Sequence, residues 1–230
     1  SAPVREADAD ALLLVLPAIE PSTEIEGWPG LAESLRRIGF TGGPGSYQRV
    51  ALPDLELPLA VAGYGARDDQ ASLRDAAGTG VRQLTGFERV AVAAPAATEP
   101  AWRALAEGAS LGGYRFAGYA AKAPAARASV VTVHTGTAPT AQDETAVEAV
   151  ASAVALVKDL VTTPAEWLGP ADLADRARES VAELPVDVRV WNEDELRVDG
   201  FGGILGVGQG SDRPPRLVRL DYRPEGATRH

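Results

Sequence analysis

The chain has 230 residues, of which 45% are hydrophobic, so it can bury one large core or one core and part of a second. Its 22 basic and 32 acidic residues give a formal net charge of −10. This charge disfavours nucleic acid as a partner, because nucleic acids attract basic surfaces. The absence of cysteine excludes disulfides, thiolate metal ligands and a cysteine nucleophile.

No apolar run approaches the roughly 20 residues that a membrane-spanning helix needs. The longest early run, 11–17, follows acidic residues, whereas a secretory signal begins with basic ones. We therefore expect a cytoplasmic protein that has no membrane partner, and the lack of cysteine agrees with that location.

Strands and helices alternate over the first 135 residues. Short apolar runs predict strands at 11–16, 47–52, 57–62, 89–94 and 129–133. Apolar residues at helical spacing predict helices at 31–38, 71–84 and 102–116. The last of these helices would have one face formed by Trp102, Leu105, Ala106, Ala109, Gly113 and Phe116. The alternation predicts an α/β layer fold with a mainly parallel or mixed sheet.

A small, polar segment, 136–140, is typical of a domain boundary, and the clearest helix of the chain follows it. Thr140 is suited to cap this helix, with Asp143 and Glu144 at the positive end of its dipole. Valines and alanines recur at three- and four-residue steps up to Val161. Thr163-Pro164 ends the helix, because a residue that precedes proline is pushed away from helical angles.

The remaining residues predict the beginning of another α/β layer. Pro170 suits the first turn of a helix that runs to about Glu183. We predict a strand at 185–191, a helix at 193–198, a buried strand or turn at Gly203–Val207 and a strand at 216–222. We expect an unpaired sheet edge here, and a continuation of the chain would explain it.

Two glycine-rich segments invite a phosphate-binding interpretation. Gly206, Gly208 and Gly210 would need a helix after them, but Ser211-Asp212-Arg213-Pro214-Pro215 cannot open one. We therefore predict a turn between two strands at 206–210. The segment 41–46 lacks the Gly-Lys-Ser/Thr ending of a nucleoside triphosphate loop, and we predict a flexible surface connection.

No group of residues has the pattern of a catalytic or metal site. His134 and His230 are the two histidines, and neither has a partner at ligand spacing. Helix capping and the helix dipole explain the acidic residues at the starts of two predicted helices. These residues are Asp172 and Asp175 after Pro170, and Glu193, Asp194 and Glu195 after Asn192.

Two stretches resemble the leucyl (cytosol) aminopeptidases, a family of two-metal exopeptidases. Leu105–Tyr119 is similar to the end of the family's amino-terminal domain, where a helix with Glu-Gly-Ala leads to paired aromatic residues. Its glycines, Gly112 and Gly113, would allow the helix to pack closely, and Tyr114, Phe116 and Tyr119 would fill the adjoining layer. The stretch 157–222 resembles the entry into the catalytic domain. It departs from the family pattern at Thr162, where asparagine is usual, and at Gly169, where threonine is usual.

The resemblance implies an α/β protein with a macro-like amino-terminal layer domain and a mixed sheet. A connecting helix and the incomplete start of a second, catalytic α/β domain would follow. We therefore expect an amino-terminal domain at 1–136, a linker and connecting helix at 137–164 and a truncated catalytic domain at 165–230. The family's metal ligands, a lysine, several aspartates and a glutamate, follow the position that matches His230. No catalytic, cofactor-binding or metal-binding residue is therefore assigned to this chain.

The resemblance also implies a homo-hexameric enzyme that releases amino-terminal residues from peptides with two divalent ions, manganese, zinc or magnesium. We expect this fragment to be inactive and to act in scaffolding and oligomerisation. The alternative is a non-enzymatic, macro-like module that binds a nucleotide or a protein, and 41–46 is its expected nucleotide loop. A regulatory or DNA-binding role is a third hypothesis, which the net charge disfavours.

Overall fold

The computed structural model describes residues 4–98, 101–116, 118, 126–136 and 138–226. The chain divides into two compact units, 1–156 and 157–230. The predicted domain limits at 136 and 164 stay predictions. Among the described residues, no helix combines the length and the apolar character that crossing a bilayer requires.

The first unit is built on a five-stranded sheet. In chain order its strands are β1 (Ala11–Pro17), β2 (Tyr47–Val50), β3 (Leu59–Gly65), β4 (Arg89–Ala93) and β5 (Val130–His134). Their order in the sheet is β2-β3-β1-β4-β5, and all neighbours are parallel except β2 and β3. The predicted mixed α/β sheet is therefore confirmed. The central strand β1 is apolar along its length because it is buried on both faces.

Helices cover both faces of this sheet. Helix α1 (Leu31–Arg37) packs against one face, where Leu35 and Trp28 join Leu12, Leu14 and Leu16 of β1 in a buried cluster. Helices α2 (Gln70–Gln83) and α3 (Trp102–Gly113) lie on the other face with Leu13 and Val15. A short 3-10 helix, Val4–Glu6, precedes β1.

Helix α3 ends at Gly113, three residues before the predicted end. Tyr114 has extended angles and leaves the helix, so Phe116 does not continue its buried face. That face consists of Ala104, Leu105, Glu107, Gly108, Ala109 and Gly112. Tyr119, which we expected to fill the adjoining layer, lies outside the described residues.

Helix α4 (Ala141–Thr162) begins and ends as predicted. The Asp143 amide donates to Thr140 Oγ1 at 3.2 Å, and the Thr140 amide donates to Asp143 Oδ2 at 3.0 Å. These reciprocal bonds satisfy two amides that would otherwise lack partners at the helix start. Val147 is its one buried residue.

Besides the last residues of α4, the second unit contains three helices and two strands among its described residues: α5 (Pro170–Ser180), β6 (Val186–Trp191), α6 (Glu193–Val198), α7 (Gly202–Gly208) and β7 (Leu217–Tyr222). Strands β6 and β7 form a two-stranded antiparallel sheet. Pro170 is in the first turn of α5 and Asn192 caps α6, as predicted.

The prediction of a buried strand or turn at Gly203–Val207 is wrong. This segment lies in α7, and the Leu205 and Gln209 amides donate helically to the Phe201 and Leu205 carbonyls. No residue of α7 is buried. A short apolar run has the same composition in a strand and in a helix, so its pattern could not distinguish them.

Candidate functional site

One cavity of the first unit lies where β4 and β5 end. It has a volume of about 450 Å³, and segments that follow both strands contribute to its lining, with Thr98 after β4 and Gly136 after β5. Trp102 and Arg103 line it from the start of α3, and Asp143 from the start of α4. In open α/β sheets, ligands bind outside the carboxyl ends of parallel strands, so this cavity is the candidate site.

The carboxylate of Asp68, which follows β3, holds one wall of this cavity. Both the amide and the hydroxyl of Thr98 donate to Asp68 Oδ2, the amide at 2.8 Å. The other carboxylate oxygen, Oδ1, is buried and has no hydrogen-bond partner in the described part of the chain. The Tyr64 hydroxyl donates to the Ala96 carbonyl oxygen at 3.4 Å. Burial, together with the charge of Asp68, raises the pKa of Tyr64 to about 12, so this phenol stays protonated.

The charged groups of the lining are engaged in structural bonds. Arg103 Nε donates to Glu107 Oε1 at 2.8 Å, and this bond raises the pKa of Arg103. Hydrogen bonds from Thr140 lower the pKa of Asp143, which belongs to the cap of α4. The described lining contains no histidine.

Among the described residues, the histidine and the acidic residues singled out in the sequence form no group that could hold a metal ion. His134 is the last residue of β5 and is half-buried, and His230 lies outside the described residues. No group of three histidine or acidic side chains in the described ranges could hold a metal ion.

Capping accounts for two of those acidic residues, as predicted, and ion pairs that were not predicted involve the other three. Asp172 accepts from the Gly169 amide and Glu195 from the Asn192 amide, each at 2.8 Å. The other three, Asp175, Glu193 and Asp194, form ion pairs with arginines on their own helices.

Neither glycine-rich segment forms a phosphate loop. Gly206 and Gly208 lie in α7 and Gly210 follows it, so the predicted turn between two strands is wrong. The loop 41–46 is also not the loose connection that we predicted. Its backbone is bonded to β3, since the Gly65 amide donates to the Gly42 carbonyl and the Gly63 amide to that of Ser46. These hydrogen bonds therefore attach the loop to the last residues of β3.

Sequence reasoning missed a buried carboxylate, Glu107, which is 7% exposed. Its Oε2 accepts from Arg74 Nε of α2 at 2.7 Å, and its Oε1 accepts from Arg103 of α3. Burial raises the pKa of Glu107, but the bonds from Arg103 and Arg74 outweigh it and the net effect is a lowered pKa. In the sequence, the one indication that Glu107 forms an ion pair was Arg103, which precedes it by four residues. The partner on α2 could not be predicted.

Two family models match consecutive parts of the chain. The model described as the amino-terminal domain of the cytosol aminopeptidase family matches residues 22–123. The model described as the catalytic domain of the same family matches residues 155–230.

Curated relatives are similar along the whole chain. One, named "Probable cytosol aminopeptidase" from Leifsonia xyli subsp. xyli, is 43% identical, and the match covers 100% of this chain and 48% of the relative. A second protein of that name, from Clavibacter michiganensis subsp. michiganensis, is 44% identical, with 98% and 47% covered. The chain thus spans about half the length of these relatives.

Solved structures agree with this similarity. The bottromycin maturation enzyme BotP, in complex with Mn, has a TM-score of 0.77 and 29% identity, over 94% of this chain and 46% of that one. A mutant of tomato leucine aminopeptidase has a TM-score of 0.79 over 99% of this chain and 51% of that one. At 17% identity, the tomato enzyme shows a shared fold alone.

Proposed function

Since the chain belongs to the cytosol aminopeptidase family, we propose that it is the amino-terminal part of a leucyl aminopeptidase that releases amino-terminal residues from peptides. The consecutive matches to the amino-terminal and catalytic domains of one family carry this proposal. The full-length relatives bear the name of that activity, and each is about twice as long as the matched stretch.

Hydrolysis by the complete enzyme would use divalent metal ions, and the described residues of this chain do not fit such a site. They contain no group of three histidine or acidic side chains that could hold a metal. The acidic residues at the helix starts are occupied by caps and ion pairs. The metal ligands would therefore come from the remainder of the longer polypeptide. The Mn complex of BotP supports manganese as the first ion to test, with zinc and magnesium next.

The role of this part of the enzyme would be structural. The first unit has a well-buried core on both faces of its sheet, which suits a scaffold. We expect the complete protein to act on peptides in the cytoplasm as a homo-hexamer, with this part contributing to assembly. The less favoured alternative is a non-enzymatic, macro-like module that binds a nucleotide or a protein. A nucleotide is disfavoured because the loop 41–46 is bonded to β3 and the charged groups of the cavity are engaged.

The test compares the full-length protein with the 230-residue chain on leucine p-nitroanilide with added Mn²⁺. We expect turnover by the full-length protein that EDTA abolishes, and none by the 230-residue chain. Circular dichroism of the shorter chain controls for its folding. Chelator-sensitive cleavage by the 230-residue chain alone would contradict the scaffold role. A full-length protein that is inactive with manganese, zinc and magnesium would contradict the peptidase assignment.

A further inference from the structure

Strand β5 forms one edge of the five-stranded sheet, with β4 as its inner neighbour. The Val130 amide donates to the Glu88 carbonyl, next to β4, at 3.1 Å. In a parallel pair, successive residues of a strand direct both of their backbone groups alternately to one side and to the other. Val130 and Thr132 are therefore bonded on the β4 side, whereas the amides and carbonyls of Val131 and Val133 point away from the sheet.

The outer side of β5 is open among the described residues. No turn, loop or further strand in the described part of the chain bonds to the outward groups of Val131 and Val133. Proteins usually protect a sheet edge with charged side chains. The opposite edge strand, β2, has Arg49, which donates to the Thr85 carbonyl at 3.0 Å. In contrast, β5 reads Val-Val-Thr-Val-His and has no acidic residue, lysine or arginine.

A groove of about 570 Å³ runs along this open edge, and all of it lies within the first unit. Its volume is in the range of ligand pockets. The groove separates β5 from α4, and α3 contributes to its lining. Residues 131–133 of β5, Trp102 and Ala106 of α3, and Glu144, Val147 and Glu148 of α4 line it.

The α4 side of the groove carries negative charge that the described residues leave uncompensated. Glu144 and Glu148 are exposed and lie four residues apart, on one face of the helix. Like charges at this spacing repel each other. Neither glutamate belongs to any ion pair between described residues. The groove thus combines an open strand edge with an acidic wall opposite it.

We propose that this groove binds an extended peptide segment of another molecule, which adds to β5 as a further strand and carries lysine or arginine opposite α4. The added strand would bond to the outward groups of Val131 and Val133, as peptides do at open sheet edges. Every second side chain of such a strand faces the groove. A lysine or arginine there packs its stem against Val147 and places its charge beside the two glutamates. The inference is independent of the proposed function, because binding requires no catalysis.

Amide hydrogen exchange of the full-length protein tests whether the edge is open. We expect the protection factors of the Val131 and Val133 amides to be at least about tenfold lower than that of the Thr132 amide, which is bonded on the β4 side. High protection at all three amides without added peptide would overturn the proposal. It would mean that the remainder of the polypeptide or a second copy already occupies the edge.

A defined probe tests the peptide site. It is an amidated peptide of about six residues, a typical strand length, in which lysine and threonine alternate and fluorescein blocks the amino end. We expect fluorescence anisotropy to show saturable binding to the full-length protein that weakens as the salt concentration rises. Binding should also protect the Val131 and Val133 amides. The same peptide with glutamate in place of lysine is the control and should bind at least about tenfold more weakly.

Two outcomes of the titration would overturn the proposal. One is a dissociation constant for the lysine peptide above about 1 mM. The other is equal binding of the lysine and glutamate peptides, because the acidic wall would then select nothing.

Variants separate the strand edge from the acidic wall. Val133→Pro removes an outward amide without breaking a bond to β4, and should weaken binding at least about tenfold. Val133→Ala retains that amide and should bind within about twofold of wild type. Glu144→Gln combined with Glu148→Gln should weaken binding about three- to tenfold, because two exposed ion pairs are lost.

The control for the glutamate variant is Glu24→Gln with Glu26→Gln, which removes the same charge from exposed positions before α1 and should leave binding unchanged. If Val133→Pro does not fold, the glutamate variants and the amide exchange decide. Equal weakening by Val133→Pro and Val133→Ala would overturn strand addition. Unchanged affinity after loss of Glu144 and Glu148 would overturn the basic character of the segment.

Discussion

Gly112 of α3 lies against the backbone of Gly78 of α2, so closely that a Cβ atom on Gly112 would be 2.3 Å from the Gly78 carbonyl oxygen. One turn earlier, a Cβ atom on Gly108 would be 2.2 Å from the Arg74 carbonyl oxygen. The two helices therefore touch backbone to backbone. This contact brings Arg74 within reach of Glu107, and the ion pair then fastens the helices at the same place.

Gly112→Ala should destabilise the first unit, because the new methyl group has no space against a backbone carbonyl. We expect a loss of about 1–3 kcal/mol in the free energy of unfolding. Gly113→Ala is the matched control, since its Cβ would lie 3.9 Å from Val81 Cγ1 in ordinary contact. Urea unfolding followed by circular dichroism measures both. Equal midpoints for the two variants would refute the close backbone contact.

Glu107→Gln should lower the free energy of unfolding by about 1.5–3 kcal/mol at pH 7, because two arginines lose their carboxylate. The pKa of Glu107 is lowered in the folded protein, so its contribution is complete above the unfolded-state pKa and is lost as the pH falls through the folded-state pKa. The difference between wild type and variant should therefore shrink as the pH falls below 4.5, the ordinary pKa of a glutamate.

Denaturant titrations at several pH values measure this difference. Glu33→Gln, which removes the exposed pair between Glu33 and Arg37, is the control. It should change the free energy of unfolding by less than about 1 kcal/mol. A difference for Glu107→Gln that does not depend on pH would show that the ionised form of Glu107 contributes no stability.

Gly42→Ala should disrupt the loop 41–46 more than Gly45→Ala does. Both glycines have left-handed angles, with φ of 70° and 77°, which cost an L-residue about 1–2 kcal/mol. At Gly42 the new Cβ would also be 2.0 Å from the Pro17 carbonyl oxygen, whereas nothing lies within 4 Å at Gly45. The melting temperatures of the two variants give the comparison. An equal decrease would mean that φ alone matters.

Trp191→Phe should destabilise the second unit by about 1–2 kcal/mol or more, because the smaller phenyl ring cannot donate to Asp199 and fills less of the buried space. Hydrogen exchange of the β6 amides reports on this unit separately from the first. Trp167→Phe, at a position that is 55% exposed, is the control and should leave exchange in β6 unchanged. Unchanged exchange in both variants would show that the indole bond does not stabilise β6.

Local rules in the sequence determined most elements of the fold. The apolar run 11–16 predicted a strand, which the structure buries, and Thr140, Pro164 and Asn192 predicted the limits of helices. Capping and proline effects act within a few residues, so the sequence carries them wherever the segment lies. The family resemblance, which consecutive family matches confirm, likewise depended on short runs of residues.

Tertiary structure decided what depends on remote neighbours. Sequence alone could not distinguish Gly112, which touches α2, from Gly113, which does not. The sequence also predicted a flexible connection at 41–46, because the hydrogen bonds of this loop to β3 depend on residues further along the chain. It predicted a strand or turn in place of α7, because a short apolar run does not by itself distinguish a helix from a strand. Composition and capping determined where elements start and stop, whereas close approach between distant backbones determined which side chains are buried.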